Sequence, residues 1–203
     1  MEILSREFYL QNAEKVARGL LGKIIVRRFG SELLMARIVE TEAYYGRNDP
    51  ASRAYNGLNK ISELMYGEPG RILIYTVHNN LMLNVVAHEP GEIGAVLIRA
   101  LEPIKGVEIM GKYRDKGGFD ISNGPGKLTE ALKLSKDYHN ISIYDEKSPL
   151  MIIDFGSDDN NDNFRISSSN RIGVKKDLKK KLRFFIKGSK WVSKGSMIAE
   201  EFY

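Results

Sequence analysis

Ala36-Arg-Ile-Val-Glu-Thr-Glu-Ala-Tyr-Tyr-Gly46 decides how this chain is read. It continues an apolar, β-favouring run from Leu33 and places Glu40 and Glu42 where the backbone is still extended. Side chains alternate faces along a strand, so both acids share one face and Thr41 takes the other. Two carboxylates ending an apolar strand, followed at once by Tyr44 and Tyr45, are costly unless something neutralises or uses them. Two readings stay open here. Either the glutamates are partly solvated or paired with arginines, or one is a general base beside an aromatic pocket.

Outward from that stretch, Lys23 to Arg28 and Leu33 to Glu42 read as strands joined at Gly30. A helix is predicted from Ala13 to Leu21, capped by Asn12 and ended by Gly22. Asp49-Pro50 predicts a helix to about Asn56, with another short one to about Tyr66. Ile72 to Val77, Met82 to Ala87 and Ala95 to Leu101 read as strands. Pro103 predicts a helix reaching about Lys116, and Asn123-Gly-Pro-Gly126 leads into one from Lys127 to Leu134. Met151 to Asp154 and Leu182 to Lys187 return to strand. Strands cluster rather than alternate with helices, the pattern of an α+β chain.

At 203 residues, the simplest division is a single domain, 1–203. Its 42% hydrophobic and 28% charged residues describe a soluble globular protein rather than a disordered one. No apolar run approaches the ~20 residues of a membrane helix, so no membrane association is expected. The N-terminus lacks the apolar region of a signal peptide. Without cysteine there is neither disulfide nor thiolate metal site, and a cytoplasmic location is expected, nucleoid-associated in a bacterium. Basic residues crowd the stretch from Arg171 to Lys194, against a single acid, Asp177. Such density is a footprint for a polyanion or simply a solvated face. An acidic loop, Asp154 to Asn163, precedes it.

Arg99 is the second anomaly. Val96-Leu-Ile-Arg-Ala-Leu101 is too apolar for a surface strand, and a buried guanidinium needs an anion or several acceptors. An Arg–Glu pair across neighbouring strands satisfies both charges; a functional reading adds a water held between Glu42 and Arg99. Tyr44, Tyr45, Tyr66 and Tyr75 are either core or a stacking surface for a flat cationic base. His78, His88 and His139 lack the spacing of a metal site, and none is expected. Asn123-Gly-Pro-Gly-Lys127 lacks the spacing of a nucleotide phosphate loop, although its amides and Lys127 suit a DNA phosphate.

The order of motifs is the decisive sign. Leu20-Leu-Gly-Lys23, Ile38-Val-Glu-Thr-Glu-Ala-Tyr44, Asp49-x-Ala-Ser52, Met65-Tyr-Gly-x-Pro-Gly70, Asn84-Val-Val86, Val96-Leu-Ile-Arg-Ala-Leu-Glu-Pro103, Asn123-Gly-Pro-Gly-Lys-Leu128, Arg171-Ile-Gly173 and Trp191-Val-Ser193 follow one another along nearly the whole chain. Together they resemble the alkyladenine (3-methyladenine) DNA glycosylase family. The resemblance implies a single compact α+β domain around a curved antiparallel sheet surrounded by helices, active without a cofactor; a monomer is expected. It makes Glu42 the base that activates water for attack at C1′, with Arg99 and the backbone carbonyl of Ile172 holding that water. Tyr44 and Tyr75 become the rings that stack the flipped base, and Asn84 the pocket floor that bears on discrimination against guanine.

Two positions depart from the family pattern. Histidine is usual where this chain has Arg53, in the pocket wall, and a Tyr-Gly-Met hairpin is usual where it has His78-Asn79-Asn80. His78 takes the place of the wedge that fills the gap left by the flipped base. Arg53 cannot accept a hydrogen bond and is always charged: facing inward it repels a cationic purine, and facing outward it grips a phosphate. Lys127, Lys175, Lys176 and Lys187 are the expected phosphate contacts. The implied function is monofunctional excision of alkylated or deaminated purines from duplex DNA, upstream of an abasic-site endonuclease. The competing readings are a catalytically impaired damage-binding protein on the same fold and an RNA-directed domain.

Overall fold

The computed structural model describes residues 2–156 and 164–193. In chain order its elements are β1 (Glu2–Ile3), α1 (Arg6–Tyr9), α2 (Ala13–Gly19), β2 (Ile24–Phe29), β3 (Glu32–Tyr45), β4 (Ile72–Val77), β5 (Asn80–Val86), β6 (Gly94–Lys105), α3 (Val107–Arg114), α4 (Pro125–Ala131), β7 (Leu150–Asp154), β8 (Ile166–Ser169) and β9 (Arg183–Ile186). One antiparallel sheet joins the strands in the order β1-β7-β2-β3-β6-β5-β4, an α+β fold. Strand β3 is its spine. Its first half pairs with β2, while the same edge beyond Val39 pairs with β9, which carries β8.

Alternation along β3 separates two interiors. The hydroxyl of Thr41 donates to the Ala17 carbonyl of α2 at 2.8 Å. On that side Ile72, Leu83, Val85, Val96 and Ile98 share one buried cluster with Val16, Leu20, Leu128 and Leu132. Burying each such side chain fully contributes roughly 1.5–3 kcal/mol. A second, smaller cluster joins Leu73, Val86 and Ala95 of the sheet to Ala54 and Met65 of the long connection after β3. Tyr75 packs against its margin.

Bulges shape the centre. The β3–β6 register slips between Met35 and Ala36 and on both sides of Glu40. Glu40 pairs with Ala100 but Thr41 with Ile98, leaving Arg99 as the extra residue on β6. Bulges re-aim side chains and bend the sheet.

Two predicted helices differ, and one strand stands outside the prediction. Pro103 starts no helix but lies within β6 opposite Ala36, at a register slip where a missing N–H is tolerated. Helix α3 begins only after Gly106, whose φ of 75° and contact with Leu34 exclude a side chain. Residues 49–57 form successive turns rather than a helix, with the amides of Ser52, Tyr55 and Gly57 closing on the carbonyls three residues back. Asp49 accepts the Ala51 amide as a cap does, but Arg171 holds both its oxygens and the turn does not continue into a helix. Strand β8, rich in serine, carries no apolar alternation and was not foreseen. Asp158 to Asn163 of the acidic loop and Lys194 lie outside the described residues.

Candidate active site

Glu40 and Glu42 are both fully buried on the face away from α2. Glu42 Oε1 accepts the backbone N–H of Ile172 at 2.8 Å. Its Oε2 accepts the Tyr44 hydroxyl at 2.8 Å and Nη1 of Arg99 at 3.2 Å. Burial raises the carboxyl pKa above its ordinary value, against the opposing pull of Arg99, the Ile172 amide and Tyr44. Burial also lowers the Arg99 pKa, but Glu42 and Glu40 outweigh it, and the guanidinium is held charged.

Arg99 reaches Glu40 as well, through Nε at 3.2 Å. Glu40 in turn accepts Nε of Arg183 at 2.6 Å, the Ser193 amide at 2.7 Å and the Ser193 hydroxyl at 2.8 Å. The buried charges therefore run Arg183, Glu40, Arg99, Glu42, alternating in sign and summing to zero. Glu42 is joined to the tyrosine-lined cavity through the hydroxyl of Tyr44.

A second brace fixes the wall. Arg171 forms a two-pronged ion pair with Asp49 at 2.6 Å and also binds Asp177 and the Ala43 carbonyl. Its guanidinium lies 4.5 Å from the Tyr44 ring centroid. Asp49 further accepts the amides of Tyr45 and Ala51. One arginine thus locks the Ile172 segment, the Tyr44 ring and the start of the 47–66 connection together.

Tyr44, Tyr75, Arg53, Asn84, Met65 and Leu73 line a cavity between the rings of about 10 Å³. That is room for about one water. Asn84 is fixed by donating to the Leu73 and Met82 carbonyls, both at 3.2 Å. Burial raises the pKa of Tyr44 and of Tyr75, so both phenols are neutral donors. The Arg53 guanidinium lies 5.1 Å from the Tyr75 ring centroid.

His78 is exposed at the tip of the β4–β5 hairpin. With φ of 45° at His78 and 66° at Asn79, between paired Val77 and Asn80, the loop has the type I′ form of a tight hairpin. Gly126 packs against it so closely that a Cβ there would sit 2.8 Å from the Asn80 side chain. The Gly-Pro-Gly motif therefore supports the hairpin.

The expected phosphate contacts divide. Lys175, Lys176 and Lys187 are exposed, whereas Lys127 is held by Asp120 and by Asn123, the latter at 2.9 Å. Arg171 and Arg183, members of the basic tract, are interior residues. Their roles, with those of Asp49 and Ser193, escaped the sequence reading. Arg183 carried a usable signal, a charge within apolar Leu182-Arg-Phe-Phe-Ile186 like that of Arg99. Among the described residues no acidic or histidine group of three could hold a metal ion, and no helix is long and apolar enough to cross a membrane.

Comparisons with known proteins identify the family. The family model for methylpurine-DNA glycosylase matches residues 7–190. A protein of Aeropyrum pernix is 38% identical over 192 residues, covering 95% of this chain and 93% of its own length. One of Carboxydothermus hydrogenoformans is 37% identical over 194 residues, covering 95% and 99%. One of Koribacter versatilis is 37% identical over 197 residues, covering 94% and 92%. All three bear the name "Putative 3-methyladenine DNA glycosylase". By motif order, buried site and extent of match, the chain belongs to the methylpurine-DNA glycosylase family.

Proposed function

We propose that this protein is a monofunctional DNA N-glycosylase that removes alkylated or deaminated purines from duplex DNA. The observation that carries the reading is Glu42, a buried carboxylate of raised pKa held by Arg99 and Ile172 beside two tyrosine rings. Carboxylates perturbed by burial and a specific charge partner gather at functional sites.

Exposed lysines such as Lys175, Lys176 and Lys187 hold the duplex through its phosphates. The damaged nucleotide rotates out of the stack, His78 enters the gap, and the base comes to lie between Tyr44 and Tyr75 above Asn84. A water held by Glu42, Arg99 and the Ile172 carbonyl attacks C1′ as the bond to the base breaks. Glu42 takes its proton and stabilises the developing positive charge on the sugar. The base leaves with the bonding electrons, and the abasic site passes to an endonuclease. The proposed reaction consumes water alone, and with no lysine of the sequence singled out as a Schiff-base nucleophile, strand cleavage is not proposed.

The altered wedge and pocket residues, His78 and Arg53, favour one alternative, a damage-binding protein that has lost excision. Incubation with methylated and with hypoxanthine-containing duplex DNA separates the two. Free base and alkali-labile sites support the glycosylase; binding without either supports the alternative.

A further inference from the structure

The Arg53 side chain lines the cavity wall and rests its guanidinium against Tyr75, one of the two rings proposed to stack the base. The neighbouring carboxylates are otherwise engaged: Asp49 by Arg171, Glu42 by Arg99 and Tyr44, Glu40 by Arg99 and Arg183. Among the described residues Arg53 forms no ion pair; the residue is exposed to solvent while its guanidinium lies against Tyr75 at the cavity wall. With room for about one water, the cavity must widen to admit a purine, and the exposed Arg53 is the lining residue freest to swing from the Tyr75 face toward the edge of the incoming ring.

We propose that Arg53 makes this site selective for neutral 6-oxo purines, the hypoxanthine class, over cationic N-alkylated purines. This rests on the glycosylase reading above. A 6-oxo purine presents O6 and N7 as adjacent acceptors, the edge that an arginine fork matches with two hydrogen bonds. Adenine turns an amino donor toward the same fork, and a 7-alkylated purine has no free N7 lone pair. A purine that already carries positive charge is repelled by a guanidinium that cannot give up its proton.

The same contact supplies help that a neutral leaving group needs. As water oxygen bonds to C1′ and the C1′–N9 bond breaks, the electron pair passes to the purine and the water proton to Glu42. Hydrogen bonds from Arg53 to O6 and N7 spread the resulting negative charge until solvent protonates the free base. Cationic lesions leave as neutral bases and gain nothing from this.

Single-turnover excision of hypoxanthine and of 7-methylguanine from otherwise identical duplexes tests the assignment. The ratio of the two rates is independent of the folded fraction in a preparation. Arg53→His should lower the hypoxanthine-to-7-methylguanine ratio by about 10-fold or more, the scale of a charge-assisted hydrogen bond. Arg53→Lys keeps the charge but loses the fork, so it should lose hypoxanthine excision while still disfavouring 7-methylguanine. It also supplies a ratio should the histidine variant be inert. A ratio unchanged from wild type in either variant overturns the role of Arg53. Failure of the wild type to release either base overturns the glycosylase reading itself.

Discussion

The backbone N–H of Ile172 donates to Oε1 of Glu42 at 2.8 Å, across 130 residues of sequence. The contact seen from Ile172 is therefore its amide, directed at the carboxylate. It leaves Oε2 to Arg99 and Tyr44, and it makes the position of the 171–178 segment a condition for the orientation of Glu42. That segment is anchored by the Arg171–Asp49 pair.

Asp49→Asn should consequently act on stability and on catalysis together. Removing one partner of a buried ion pair costs about 3–5 kcal/mol. Thermal melting should show a clear fall in Tm, and the folded fraction should excise more slowly because Ile172 is released. A variant that melts like wild type would show that Asp177 alone suffices to hold Arg171.

The pH dependence follows from burial of Glu42. Only the ionised carboxylate can take a proton from water, and its folded-state pKa lies above the ordinary 4.5. Excision of a neutral base should therefore rise with pH through a limb above 4.5. For stability the sign is opposite: a raised carboxyl contributes stability that is fully present below 4.5 and is lost as pH rises through the folded value. A single-turnover profile whose acid limb falls at or below 4.5 contradicts the assignment.

His78 occupies a left-handed backbone position that glycine adopts without strain. His78→Gly should keep the hairpin and the fold yet lose the side chain proposed to fill the vacated stack. Unstacking a base costs a few kcal/mol, so the flipped state should fall by about 10-fold or more. Fluorescence of 2-aminopurine beside the lesion reads this directly; an unchanged signal removes His78 from the flipping step.

Much of this was legible because a charge in an apolar strand cannot be hidden. Glu40, Glu42 and Arg99 announced themselves in that way, and the period of two placed both acids opposite Thr41. Arg183 gave the same signal, but neighbouring lysines masked it as part of a surface tract. The Arg171–Asp49 pair was not readable, because Asp-Pro is also a helix-start pattern and its partner lies 122 residues away. Pro103 failed as a helix signal because a bulge, which only pairing reveals, removes the need for its N–H. The positive φ of His78 belongs to a hairpin whose turn lacks the usual glycine.

The central claim is that Glu42 is the base. Glu42→Gln keeps the hydrogen-bonding shape of the side chain and removes its capacity to accept a proton at neutral pH. Release of hypoxanthine and 7-methylguanine under single-turnover conditions should fall by ~10² or more while affinity for the damaged duplex is retained. Release of either base at near wild-type rate by that variant would contradict the account.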